Sequence, residues 1–286
     1  MLRDMDSVWA KDQRGLEELV ATALLDPDSD RSQQALATIR FRGSQAEFDA
    51  AARLTASEVP AERSLGAAIL GQLGWDEHTF LEPSVDLLMP MLRDSSTDVI
   101  ESAIYALGHR DHARAAAPIA AFRSHPDDDI RVAVAFSLAS LIGEAPEEAA
   151  ALVELTRDRC ADVRDWATFG FRLQAEERTV DSPEIREALV ERVGDQEAEV
   201  RGEALLALAS LADPRALPLL RAELANPLEN SLVIEAAEII GDPSLAEPLH
   251  RAWTRLDDEG RHWFDGQGFF STFAACGGDP DELSLR

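Results

Sequence analysis

Lysine is all but missing from this chain: Lys11 is the only one, and every other basic side chain is arginine. With 27 Lys and Arg against 54 Asp and Glu, the formal net charge is −27 and the isoelectric point lies near 4.5. So few cations exclude sequence-independent binding to DNA or RNA, whose affinity comes largely from basic side chains neutralising phosphates. Docking on anionic lipid is excluded for the same reason. Cysteine is also scarce. Cys160 and Cys276 lie far apart with no metal-type spacing, so neither a disulfide framework nor a zinc site is expected. No stretch approaches the ~18 apolar residues that cross a bilayer. Met1-Leu2-Arg3-Asp4-Met5-Asp6 is polar and lacks the apolar core of a signal segment, so a cytoplasmic protein is expected.

Catalytic signatures are missing too. There is no Gly-rich phosphate loop and no serine on a strand–turn–helix elbow. His109-Arg110-Asp111-His112 gathers two imidazoles and a carboxylate, but no third metal ligand is near and the segment reads as a solvated turn. His78, His125, His250 and His262 are scattered and suggest no triad. The expectation is a chain with no cofactor, no metal and no catalytic residue.

What the chain does contain is aliphatic. Hydrophobic residues make up 45% and aromatics only 6%, and much of the apolar content is Ala and Leu. Ala suits close helix approach and Leu keeps its rotamer freedom in a helix. β-branched runs of period two are absent. The class is all-α.

Self-similarity then decides the architecture. Asp129-Ile130-Arg131-Val132-Ala133-Val134-Ala135, Asp162-Val163-Arg164-Asp165-Trp166-Ala167 and Glu199-Val200-Arg201-Gly202-Glu203-Ala204-Leu205 share one line: an acid, a β-branched residue, an arginine, then Ala. Asp98-Val99-Ile100 and Ser231-Leu232-Val233 are weaker copies, and the successive spacings are 31, 33, 37 and 32 residues. The acid favours the positive end of the helix it opens, and the β-branched residue begins a buried stripe. Gly74, Gly108, Gly143 and Gly241 read as helix ends. Asp213-Pro214 and Asp242-Pro243 read as helix starts. Pro90, Pro118, Pro218 and Pro248 each precede an apolar residue inside a helical run and predict kinked first helices.

These lines resemble the HEAT repeat family, in the short variant named for phycobilisome lyases, over roughly residues 15–260. The resemblance implies an α-solenoid of about eight helical hairpins in a right-handed superhelical array. As one domain, the hairpins fall at 13–41, 45–74, 78–108, 112–143, 146–174, 183–212 and 214–241, with a C-terminal cap at 244–286. The family also implies that Asp129/Arg131, Asp162/Arg164 and Glu199/Arg201 form hydrogen-bonded structural ladders between repeats. Its uses range from adaptors, inhibitors and assembly factors to lyase-type enzymes acting on a tetrapyrrole.

In such arrays the second helix of each pair lines the concave side. Counted from its β-branched start, the sixth residue on is Tyr105, Phe136, Phe169 and Leu206, then Glu238. Four consecutive repeats would thus present large apolar groups to the hollow, flanked by Glu101, Asp165, Arg172 and Glu238. Such strips mark interaction sites, although tight curvature would instead bury them between helices. Trp166, at offset three, reads as a core residue, and Trp253, on a first helix, as packing. The expected function is non-catalytic: a scaffold that binds another protein. The acidity points to a basic partner, as for an immunity-type inhibitor of a toxin or nuclease; it also simply keeps a long array soluble.

Overall fold

The structure is a computed structural model that describes residues 12–26, 29–74, 79–141, 146–177 and 180–283. Its contacts form two compact units, Met1–Leu141 and Ile142–Arg286. Among the described residues every regular element is a helix. In the first unit α1 (Leu16–Leu25) pairs with α2 (Asp30–Arg42), and α3 (Gln45–Thr55) with α4 (Pro60–Gln72). Next come α5 (Leu81–Leu88), continued by a 3-10 turn Met89–Arg93, with α6 (Thr97–Arg110), and α7 (Ala116–Ala120) with α8 (Asp128–Leu141). The second unit pairs α9 (Pro146–Leu155) with α10 (Ala161–Glu177), α11 (Pro183–Arg192) with α12 (Ala198–Ser210) and α13 (Ala216–Glu223) with α14 (Leu232–Ile240). It ends in α15 (Ala246–Arg255), α16 (Asp258–Gly266) and α17 (Phe269–Ala275).

Local chemistry sets the helix starts. The Ser29 hydroxyl accepts the Ser32 N–H at the head of α2, and Ser44 with Glu47 forms a reciprocal capping box on α3. The four prolines act otherwise than expected. Pro90 sits in the 3-10 turn, and Pro118, Pro218 and Pro248 are each the third residue of α7, α13 and α15. First-turn N–H groups have no helical acceptor, so a proline there starts a helix without kinking it.

Second helices pack on second helices: α4 on α6 and α6 on α8 in the first unit, α10 on α12 and α12 on α14 in the second. Glycine allows the approach. A Cβ on Gly71 would lie 2.8 Å from Ala106 Cα, and one on Gly108 would lie 2.7 Å from Ser137 Cβ. Gly108 therefore does not end its helix, which runs on to Arg110. The Ser137 hydroxyl, buried in this contact, donates to Ile104 O at 3.0 Å. Gly74 and Gly241 do follow helix ends, with φ of +57° at both; Gly143 lies outside the described residues.

Arginines tie consecutive hairpins together. The guanidiniums of Arg63, Arg131, Arg164 and Arg201 each donate to a carbonyl six residues earlier, at Ser57, His125, Asp158 and Asp195. The other edge finds a carboxylate: Arg63 grips Asp94 and Arg164 grips Asp195, both through two bonds and 31 residues ahead. Arg201 takes Glu223 and Glu229, and Arg131 takes Asp128. Asp94 and Asp195 also accept the N–H two residues on, from Ser96 and Glu197. The ladder is thus built on acids in the turn. Asp129, Asp162 and Glu199, expected as rungs, are exposed in the first turns of α8, α10 and α12. There their charge favours the positive helix end.

The second unit's core closes on aromatics. Phe264, Phe269 and Phe273 are buried with Trp253, whose ring lies 4.9 Å from that of Phe269 and whose indole donates to Leu283 O at 3.3 Å. Gly108→Val should cost about 1–3 kcal/mol by overpacking the α6–α8 contact. Asp195→Ala, which strips two arginines of a side chain only 3% exposed, should cost about 3 kcal/mol. Asp162→Ala should cost less than about 1 kcal/mol. Chemical denaturation followed by circular dichroism measures all three, and equal losses at Asp162 and Asp195 would refute this assignment of the ladder.

Candidate functional site

Helix α6 begins its buried stripe at Val99, continued by Ala103 and Leu107, which leaves Glu101 and Tyr105 on the flank of the helix. The Tyr105 ring meets the Phe136 ring of α8 edge-on, 5.2 Å between centroids. His109, one turn beyond Tyr105, adds its ring at 5.3 Å from Phe136. All four side chains are half-buried. His109 had been assigned to a solvated turn. The helix in fact carries it inward, and Arg110 beside it is only 2% exposed, donating to Leu70 O and Leu73 O at the end of α4. Burial and the nearby Arg40 push the His109 imidazole below its ordinary value, so at neutral pH it stacks as an uncharged ring.

The electrostatics of this face are one-sided. Among the described residues Glu101 has no hydrogen-bond or ion-pair partner. Burial, then the charges of Asp129, Asp98 and Asp127, raise its carboxyl above the usual carboxylate range. Burial and the charges of Glu101 and Asp129 likewise push the Tyr105 phenol up.

The second unit repeats the plan with one addition. Phe169 of α10 meets Trp166 edge-on at 5.4 Å, and the Arg172 guanidinium lies 4.8 Å above the Phe169 ring. Trp166 is half-buried, not in the core as expected. Arg172 bonds Glu176 on its own helix at 2.6 Å and also bonds Glu203 of α12. Burial pushes the Glu203 carboxyl up to about 7, against the pull of Arg172. Asp165, unpaired like its counterpart Glu101, is raised by burial and by Glu199 and Asp162.

Of the expected strip, then, Tyr105, Phe136 and Glu101 come together in one unit and Phe169, Asp165 and Arg172 in the other. Leu206 does not belong: it is 1% exposed and packs in the core with Leu220, Val233 and Leu249. Offset six on α12 falls between packed helices, so burial wins there. Glu238 is exposed on α14, where Thr272 of α17 donates to it at 3.4 Å. Glu203 was missed: it stands three residues past Val200, where the other second helices carry Ser102, Ala133, Trp166 and Glu235, so no pattern in the sequence set it apart. Among the described residues no group of three or more His, Cys, Asp or Glu is arranged to hold a metal. No helix there is long and apolar enough to cross a membrane.

A family model for HEAT repeats matches residues 85–172 and 175–241, together more than half of the chain. The chain belongs to the HEAT repeat family. It is similar to Protein YibA of Escherichia coli (strain K12), 28% identical over 233 residues that cover 77% of this chain and 79% of YibA. An X-ray structure of YibA superposes with a TM-score of 0.67 at 25% identity, over 96% of both chains. A Kap121p mutant shares the fold at 11% identity and a TM-score of 0.66, over 85% of this chain and 31% of its own.

The unpaired carboxylate gives a stability test. A carboxyl whose folded pKa is raised penalises the folded state once ionised; the penalty is absent below about pH 4 and full above the raised value. Glu101→Gln should therefore melt at a higher temperature than the parent at pH 7, with the gap closing towards pH 4. Thermal melts at the two pH values measure it.

Proposed function

We propose that the chain is a non-catalytic scaffold that holds another protein against the flank of its second helices. The observation that carries this reading is the Tyr105–Phe136 aromatic pair, half-buried with its carboxylate neighbour left unpaired. Aromatics with part of their surface still open are the usual anchors of protein interfaces. An unpaired, desolvated carboxylate costs stability that a purely structural face would not retain. Phe169 with Asp165 gives the second unit a face of the same kind.

The partner is basic on this reading. A net charge of −27 attracts a cationic protein and repels an acidic one. Neutralisation of a basic toxin or nuclease by an immunity-type protein is the second reading, favoured by that charge and by the two unpaired carboxylates. Association should then slow as salt rises, because steering by exposed charge is screened.

Affinity capture from the native cell tests the scaffold reading. Phe136→Glu with Phe169→Glu should keep the helical spectrum of the parent yet lose the retained protein. An anchor of this type is worth about 2 kcal/mol or more, roughly 30-fold in affinity. Unchanged capture by the double variant would end the proposal.

A further inference from the structure

Two second helices, one in each unit, place an acid and an aromatic ring at matching positions, and only one of the two supplies a cation for its ring. Aligned at Val99 and Val163, α6 and α10 place Glu101 with Asp165, Tyr105 with Phe169, and Gly108 with Arg172. In α10 the chain supplies its own cation. The Arg172 guanidinium lies 4.8 Å over the Phe169 ring and bonds Glu176 and Glu203, while Asp165 stays unpaired. In α6 the equivalent position cannot carry an arginine, because Gly108 is pressed on Ser137 and any side chain there would collide. The aromatic ring remains, with Glu101 one turn before it; Glu176 and Glu203 are matched by His112 and Ala133, so Glu101 is the carboxylate left to meet a cation. The charges acting on Glu101 are those of Asp98, Asp127 and Asp129, and those acting on Tyr105 are those of Glu101 and Asp129. All are negative.

We propose that Glu101 and Tyr105 form the seat for an arginine side chain brought by a protein partner, filling the role that Arg172 fills over Phe169. This rests on the scaffold reading and names the chemistry of its partner. Arginine suits the seat better than lysine. A planar guanidinium stacks on an aromatic face while its edge bonds a carboxylate, which a compact, strongly hydrated ammonium cannot do at once. The half-buried position of Glu101 strengthens the bond, since a charge pair removed from water is less screened than an exposed one.

Tyr105 is the chain's only tyrosine, so a ring-labelled tyrosine yields one NMR signal from this seat and none from elsewhere. The full chain, labelled in this way, would be titrated with a tetra-arginine amide at about physiological salt, with peptide binding followed in parallel by calorimetry. A saturable shift of the ring signal is expected. Glu101→Gln should weaken the binding seen at that signal by about 10-fold or more, as loss of a hydrogen bond to a charged group does. Glu259→Gln removes the same charge from an exposed position on α16 and should change it less than about twofold. A tetra-lysine amide should shift the ring less at equal concentration.

Peptide binding by calorimetry with an unmoved tyrosine signal would overturn the proposal. So would equal weakening by Glu101→Gln and Glu259→Gln, which would leave only diffuse attraction to an acidic protein, or an equal ring shift by the lysine peptide. Glu101→Gln relieves a half-buried, unpaired charge, so the variant is expected to fold. The parent titration stands as a test without it. An unmoved ring with partner capture still lost in Phe136→Glu would remove the seat and leave the scaffold reading in place. Capture that survives the Phe136 and Phe169 exchanges would remove the scaffold reading itself.

Discussion

One hydrogen-bonded tie recurs through this chain: an arginine near the start of a second helix, one nitrogen on a carbonyl six residues back and another edge on a carboxylate. A single hairpin cannot bury its own apolar face, so the array stands only if neighbours are held in register. Hydrophobic contact supplies attraction without direction. The guanidinium supplies the direction, since its fixed fork meets a carboxylate side-on in one geometry. Removing the acid leaves the arginine desolvated without its anion, a larger loss than the tie's own net contribution.

Register fixed in this way decides which side chains remain free for other work. Along α6 the stripe of Val99, Ala103 and Leu107 is consumed by the core, and Gly108 by its contact with Ser137. Glu101 and Tyr105 are not consumed. They sit where helix packing ends and water begins, half-covered, with a desolvated acid that the fold does not neutralise. Natural proteins retain such costs where activity needs them. In α10 Arg172 covers the Phe169 ring and bonds Glu203, whose carboxyl burial still pushes up to about 7, while Asp165 stays unpaired.

Much of the fold was legible because its signals are local and repeated. An acid, a β-branched residue and an arginine recur at 129, 162 and 199, with weaker copies at 98 and 231, and second helices begin there. The rungs of the ladder were less legible. Asp129 and Asp162 stand next to the repeating line, whereas Asp94 and Asp195 lie in turns, and only the path of the backbone brings them to the preceding arginine. The candidate site divides along the same boundary. Tyr105, Phe136 and Phe169 could be placed on a helix flank by counting, because helical period fixes direction around the axis. Leu206 has the same offset and is buried, since what covers a flank depends on how neighbouring helices pack, which no count along one helix reveals. His109 was lost to an assumed turn: α6 continues past Gly108, a residue that marks helix ends in sequence and here serves close packing.

The glycines between second helices carry a consequence for recognition. Because backbone meets side chain at Gly108 with no intervening Cβ, the pitch from α6 to α8 is set by atoms that have nowhere to retreat. Tyr105 and Phe136 ride on those two helices. Their separation is therefore a fixed gauge within that unit, and a ligand that bridges both rings must match the spacing of the helices, since the helices cannot adjust to the ligand. One added methyl at Gly108 would change the measure.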